Sequence, residues 1–166
     1  MGFTGSALLT LTDPDAVTAC WTAGIGAEVC VSLGGKLTPD LFHPLSVIGH
    51  VERIADGRYL GELPPGPVDV GRAAVLAVGS IRIALSEYPA PTIDQGIYQH
   101  LGLVPREAKL VQVKSPGGFR AIYGPFAAGI FEIDTPGPTM SDLTRLPYRK
   151  IQRPLWPFDP DLNAPW

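Results

Sequence analysis

Lys114, Ser115, Gly117, Gly118, Phe119 and Arg120 form the stretch of this chain whose residue types and order could do chemistry. In VKSPGGFRAIYG, residues 113–124, a short apolar run ends in a cation and a hydroxyl. Pro116-Gly117-Gly118 then breaks the pattern, and Phe119-Arg120-Ala121 opens a helical one. Free backbone N–H groups at a helix start attract anions, and Lys114 and Arg120 add charge. A phosphate-binding P-loop is excluded by order, because there the glycines precede the Lys-Ser pair and here they follow it. The same residues also describe a plain glycine turn with Lys114 in water. On these residues alone both readings stand, an anion-binding loop and a tight turn.

Other catalytic chemistry finds little support. His43, His50 and His100 lie far apart, with no HExxH and no Cys-His spacing, so no metal site is expected in this chain. There is no GxSxG elbow, and Ser115 has no sequence neighbour to act as its base. Cys20 and Cys30 lack cationic neighbours and read as buried, unreactive thiols. Two cysteines are not a disulfide framework, and a reduced, cytoplasmic protein is expected. Glu132 and Asp134 alternate as on one side of a strand, which fits a solvated edge.

The net charge of −3 argues against a nucleic-acid partner, which needs a basic stripe to replace counterions. Arg149, Lys150 and Arg153 in YRKIQRP read as solvated surface. No membrane span is expected: the longest apolar run, residues 73–81, is bracketed by Arg72 and Arg82 and falls well short of ~18 residues. The N-terminal stretch has no basic region of a signal peptide. Charged residues make up only 17% of the chain, which predicts apolar surface packed against a partner.

The elements that must position these residues are short, because 18 prolines and 19 glycines punctuate the chain. TDPDAVTACWTAG predicts a helix capped at Thr12 or Asp13, with Pro14 in its first turn and Gly24 as its stop. Its small-residue face is Ala16, Ala19, Cys20 and Ala23. AEVCVSLGG predicts a strand ended by Gly34-Gly35. LSVIGHVERIADGRYLGEL predicts a hairpin turning at Asp56-Gly57, followed by a proline-rich link, PPGPVD. GRAAVLAVGSIRIALSE predicts a second hairpin turning at Gly79-Ser80, with one buried face. TIDQGIYQHLGL has helical period from Ile93 through Ile97 to Leu101 and ends at Gly102. KLVQVKS predicts a strand, FRAIYGPFAA a helix broken at Gly124-Pro125, and GIFEID a last strand closed by TPGP. The tail from Pro147 predicts an extended segment packed over the body. With no repeat and no flexible linker, the chain predicts a single α/β (mixed α+β) domain, with β-hairpins and a mixed sheet flanked by a few helices.

Several of these stretches recur together. AGIGAEVCVSLGGKL, VKSPGGFRAIYGPFA, IDTPGP and LPYRKIQRPLWPFD follow one another in the order and spacing of one family. From about Leu8 to Asp159 the chain resembles the C-terminal domain of the microcystinase C (MlrC) metallopeptidases, bacterial proteins named for degrading linearised microcystin. The resemblance implies a zinc-dependent hydrolase of two domains. In that arrangement an N-terminal domain holds the metal through Asp and His ligands, and the C-terminal domain helps to close the active-site cleft.

It further implies that this chain is the second domain alone, a truncated or separately encoded piece that is inactive by itself. The zinc would belong to a missing N-terminal domain, either in a longer chain or in an adjacent reading frame. A small peptide would be the substrate, and an orphaned interface would favour homo-oligomers. Lys114, Ser115, Phe119 and Arg120 match the family's KS..HFRA-like loop, which the resemblance places at the cleft, touching substrate carboxylate or carbonyl groups. Gly118 stands where many members carry histidine, and the Asp-Asn-Pro-Gly-Gly segment that usually precedes the LTDPDAV-like helix is absent. Two other expectations are a non-catalytic small-ligand module and a complete small hydrolase using the loop from Lys114 to Arg120.

Overall fold

Alternation of small and branched apolar residues makes residues 7–12 a strand. β1 (Ala7–Thr12) sends Leu9 and Leu11 to one face of a sheet and Leu8 to the other. In the computed structural model, which describes residues 5–37, 39–115, 117–135 and 142–159, the chain divides into two compact units, Met1–Ile130 and Phe131–Trp166. In the first unit β1 is followed by α1 (Pro14–Ala23), β2 (Glu28–Leu33), β3 (Leu45–Ala55), β4 (Arg58–Glu62) and β5 (Pro65–Asp69). Then come β6 (Ala73–Val78), β7 (Ile81–Ser86), α2 (Gly96–His100), β8 (Leu110–Val111) and α3 (Phe119–Tyr123).

Six strands form one mixed sheet in the order β2-β3-β6-β7-β1-β8, and β4 pairs with β5 in a separate two-stranded sheet. β1 runs parallel to both β7 and β8, whereas β2, β3, β6 and β7 pair antiparallel in turn. The α/β reading of the sequence holds.

Each face of the large sheet has its own core. On one face, Ala16, Val17 and Cys20 of α1 pack with Val31, Leu33, Val51, Ala74, Leu76, Ile83 and Leu85. On the other, Ile97, Tyr98 and Leu101 of and beside α2 pack with Leu8, Val70, Ala73, Val75 and Ala84. β6 and β7 are therefore covered on both faces, which corrects the expectation of one buried face for this hairpin. A strand between two layers reads as a continuous apolar run, and AAVLAV is one.

Other expectations are also revised. Asp13, not Thr12, caps α1, and the buried stripe is Ala16, Val17 and Cys20, with Ala23 exposed. β3 and β4 are not a hairpin. At Asp56-Gly57 the chain leaves the large sheet, and β4 pairs with β5, so the supposed proline-rich link is itself a strand. Prolines are tolerated there because every strand of a two-stranded sheet is an edge. Only Leu110–Val111 of KLVQVKS is a strand, and α2 is confined to residues 96–100. β1 itself was not anticipated as a strand. Cys30 is exposed, not buried: period two places it opposite Ile48 on the outward side of β2, while Val31 and Leu33 face the core.

In the second unit residues 131–135 adopt no strand, so Glu132 and Asp134 do not share a strand face, and Phe131 and Ile133 are exposed. Strand propensity needs a neighbour to pair with. Within residues 142–159, Asp142 caps a 3-10 turn at Leu143–Arg145 by accepting from the Thr144 N–H at 3.0 Å. Arg153 pairs with Asp159, whose carboxylate also accepts from the Leu155 N–H at 2.7 Å, and Tyr148 meets Phe158 edge-on at 5.4 Å. The expected TPGP turn, Pro116 and the last residues of the tail lie outside the described residues. Among the described residues no helix is long and apolar enough to cross a membrane.

Candidate functional site

β1 leaves the sheet into α1 on one face, and its parallel neighbour β7 leads to α2 on the other. Adjacent parallel strands whose exits diverge in this way open a crevice at their carboxyl ends, where ligands of α/β sheets commonly bind. Thr12 and Ser86 are paired at that end. Here the structure shows a hollow of about 160 Å³ lined by Thr10, Leu11, Thr12, Ser86, Pro89, Ala90, Thr92 and Lys114. Of the residues singled out in the sequence, Lys114 alone lines it.

Lys114 is exposed, and its ammonium makes no hydrogen bond or ion pair to the described residues. Loss of solvation by the surrounding protein pulls its pKa below the usual lysine value, and no acidic group offsets that. Thr10 and Ser86 are buried. The Thr10 hydroxyl lies beside that of Tyr98, whose oxygen can accept from it while its proton goes to the Gln112 carbonyl at 2.9 Å.

On the α1 side of the same strand end, Asp13 is fully buried. It accepts from the Ala16 N–H at 3.2 Å, the Gly34 N–H at 3.1 Å and Lys36 Nζ at 2.5 Å. Lys36 loses solvation there, but its bonds to Asp13 and Asp15 more than offset this and hold its amine above the usual range. Asp13 thus ties the start of α1 to the turn after β2, a structural task that satisfies both charges.

The rest of the glycine loop is held from below by three consecutive residues. The Thr92 hydroxyl donates to the Lys114 carbonyl at 2.6 Å. Ile93 packs beneath Gly118, where a Cβ would lie 2.4 Å from Ile93 Cδ1. Asp94 is 1% exposed, and its carbonyl accepts from the Tyr123 hydroxyl at 2.7 Å. Its carboxylate accepts from the N–H groups of Glu62 at 2.8 Å, Leu63 at 3.1 Å and Gly96 at 2.8 Å. Burial, with the charges of Asp94 and Glu62, pushes the Tyr123 hydroxyl well above the usual tyrosine value, so it stays protonated and a donor.

Thr92, Ile93 and Asp94 were absent from the sequence-based site. The Asp-Gln-Gly spacing of residues 94–96, an Asx-turn signature, was the signal available.

Ser115 turns inward on its own loop, its hydroxyl donating to the Gly117 carbonyl at 2.5 Å. Gly117 and Gly118 are exposed, and Gly118 adopts a left-handed φ of +74° at the start of α3. Phe119 is half-buried, with the Arg120 guanidinium 5.3 Å from its ring centre. The expected helix break at Gly124 is present, since α3 ends at Tyr123.

A larger hollow of about 400 Å³ lies at the far end of α2, bounded by Gln95, Gln99 and the segment 102–106. Its one charged side chain, Arg106, is engaged over the Phe126 ring at 4.5 Å, so it offers less chemistry. The histidines are dispersed: His50 faces Glu28 at 3.6 Å and His100 faces Asp56 at 3.8 Å. Among the described residues no group of three or more His, Cys, Asp and Glu could hold a metal ion, so these residues do not fit a zinc site.

Microcystinase C of Sphingomonas sp. is 28% identical over 151 residues, covering 89% of this chain and 28% of that protein. A crystal structure from Mesorhizobium sp. BNC1, of a protein named as a candidate metallopeptidase, superposes with a TM-score of 0.79 at 23% identity. It covers 97% of this chain and 32% of that one, which shows the same fold. The chain thus spans about a third or less of the length of these relatives. The sequence profile of the family described as MlrC C-terminus matches residues 2–150, and the chain is a member of that family.

Proposed function

We propose that this chain is the C-terminal, cleft-forming part of an MlrC-like zinc metallopeptidase that hydrolyses small peptides, and that it does not hydrolyse them alone. The observation that carries the reading is the family match over residues 2–150, in a chain that corresponds to 28% of microcystinase C. In this reading zinc and its ligands belong to the N-terminal portion, where the metal would supply the Lewis acid of peptide hydrolysis.

The work of this chain is to bind and orient. Its crevice at the ends of β1 and β7 presents one cation and several hydroxyls, groups suited to the polar ends of a peptide. The loop from Lys114 to Arg120 forms part of the cleft wall, with Lys114, Gly117, Gly118, Phe119 and Arg120 as its substrate-facing residues and Ser115 bracing the loop through its bond to the Gly117 carbonyl. Segment 37–48 exposes Leu37, Leu41, Leu45 and Ile48, apolar surface suited to the N-terminal portion or to a second copy.

The test is reconstitution. The chain is purified alone and together with the N-terminal portion of microcystinase C, and zinc content and hydrolysis of linear peptides are measured. Alone it is expected to hold no stoichiometric zinc and cleave nothing; together, hydrolysis is expected to appear and to fall in Lys114→Ala. Tightly held zinc, or peptide cleavage by the isolated chain, would overturn the proposal.

A further inference from the structure

We infer that β2, the outer strand of the six-stranded sheet, pairs antiparallel with β2 of a second copy of this chain, across a two-fold axis at Cys30. The inference goes beyond the peptide-binding reading and does not depend on it. It concerns main-chain pairing at a sheet edge, not the apolar surface of segment 37–48.

The first support is how the chain treats its other edges. An edge strand presents unpaired N–H and C=O groups, and folded proteins blunt such edges with short strands, prolines and charges. β8, on the opposite side of the sheet, is two residues long. In the small sheet β4 carries Arg58 and Glu62 at its ends, and β5 carries Pro65 and Pro67. Along EVCVSL, β2 has none of these devices except Glu28, at its first position. Among the described residues nothing pairs with its outer side.

The second support is which groups point outward. The Val51 N–H donates to the Ala27 carbonyl at 2.9 Å, just before β2 begins. Hydrogen-bonded and non-bonded pairs alternate along an antiparallel ladder. With Ala27 bonded opposite Val51, Val29, Val31 and Leu33 turn their main-chain groups toward β3. Glu28, Cys30 and Ser32 therefore direct theirs out of the sheet. Within the strand, one two-fold register engages all three: Cys30 opposite Cys30 of the second copy, and Glu28 opposite Ser32 of the second copy.

The third is what that register brings together. Glu28, which already faces His50 at 3.6 Å, meets a neutral hydroxyl, and no like charges stand opposite one another. Cys30 is paired with Ile48 in one row, and Ile48 is 62% exposed. The register joins this row to its copy, so the two cysteines and two isoleucines form one line across the axis. On the α1 face Val29 meets Val31 of the second copy, extending a side that the core already uses. Because the same edge serves both copies, the pairing closes as a dimer and leaves neither β2 edge free.

The test uses the full chain in reducing buffer, labelled with nitrogen-15, followed by sedimentation and amide hydrogen exchange as its concentration is raised. A dimer is expected, with protection rising at the Glu28, Cys30 and Ser32 amides. Val29, Val31 and Leu33, already turned to β3, are expected to change little. Ser32→Glu sets carboxylates opposite each other twice by symmetry and is expected to weaken the dimer about tenfold. Ser32→Lys, which meets Glu28 with a cation, is expected to keep or tighten it. Residue 32 is exposed, and unchanged protection at Val29, Val31 and Leu33 checks the fold of both variants. A chain that stays monomeric at millimolar concentration, or a dimer that leaves the three outward amides unprotected, would overturn the inference. So would equal affinities of the two variants, or protection that appears only when the N-terminal portion of microcystinase C is added. Hydrolysis plays no part in this readout, so its outcome is independent of the reconstitution experiment.

Discussion

Replacing Asp94 loosens the segment that runs beneath the glycine loop while leaving its main-chain bond to Tyr123 in place. Its carboxylate accepts three backbone N–H bonds, at 2.8, 3.1 and 2.8 Å, linking the end of β4 to the start of α2. In Asp94→Ala all three donors lose their partner. Hydrogen bonds to a charged acceptor contribute about 1.5–3 kcal/mol each, and an orphaned buried donor costs about 1–3 kcal/mol. The Gly96 bond is fully buried, whereas those of Glu62 and Leu63 are part-buried and open to replacement by water.

The expected loss is therefore about 3–5 kcal/mol, a large share of the ~5–15 kcal/mol of a typical domain. Asp94→Asn keeps one oxygen and turns an amide toward a former donor, for a loss of about 1–2 kcal/mol. Urea unfolding gives the size, and amide hydrogen exchange gives the place. Glu62, Leu63 and Gly96 should lose protection first, while Tyr123 keeps its bond to the main-chain carbonyl of residue 94. Asp94→Ala within 1 kcal/mol of the parent, or unchanged exchange at those three amides, would refute the reasoning.

Four further outcomes are expected. Gly118→His should cost about 2–3 kcal/mol in urea unfolding, from a φ of +74° and a Cβ position 2.4 Å from Ile93 Cδ1, and adding Ile93→Ala should recover the steric part as a coupling in a double-mutant cycle. Because loss of solvation holds the Lys114 amine below the ordinary lysine value, its charge costs the protein stability at neutral pH. That cost starts to be relieved as pH rises through the folded value and is gone only above the ordinary lysine value, so the stability difference between Lys114→Met and parent should shrink across that interval. Asp13→Ala should destabilise by about 3 kcal/mol, free the Gly34 N–H and leave Lys36 with Asp15 alone, visible as faster exchange at Gly34. Arg153, through its hydrogen bond, and the Leu155 N–H hold the Asp159 carboxyl down at about 2, well below the usual carboxylate range. The turn at residues 153–159 should therefore persist at pH 4 and open as pH falls through about 2, read from the Leu155 amide shift.

Local patterns in this chain are strong where one neighbour decides the conformation. The helix from Pro14, the turn at Gly79-Ser80 and the break after Tyr123 follow from capping, φ preference and proline placement, and all three are present. Pairing is another matter. The sequence shows that residues 45–55 and 58–62 are extended, but not that the second abandons the first for residues 65–69. That choice depends on which partner lies alongside after the chain turns out of the large sheet at Gly57.

The candidate site divides in the same way. The VKSPGGFR order, with the resemblance of the whole chain to one family, was enough to mark Lys114 and to exclude a phosphate loop. Charge and histidine spacing were enough to make nucleic acid and a resident metal poor expectations. Only the tertiary structure decided that Lys114 shares a hollow with residues 10–12, 86, 89, 90 and 92 at a sheet end, more than twenty positions away at the nearest. It also decided that Ser115 serves its own loop and that Thr92, Ile93 and Asp94 support it. A residue's type fixes the charge and protons it can offer, and that is written locally. Its partners, its solvation and therefore its pKa are set by groups that only the packed sheet brings within reach.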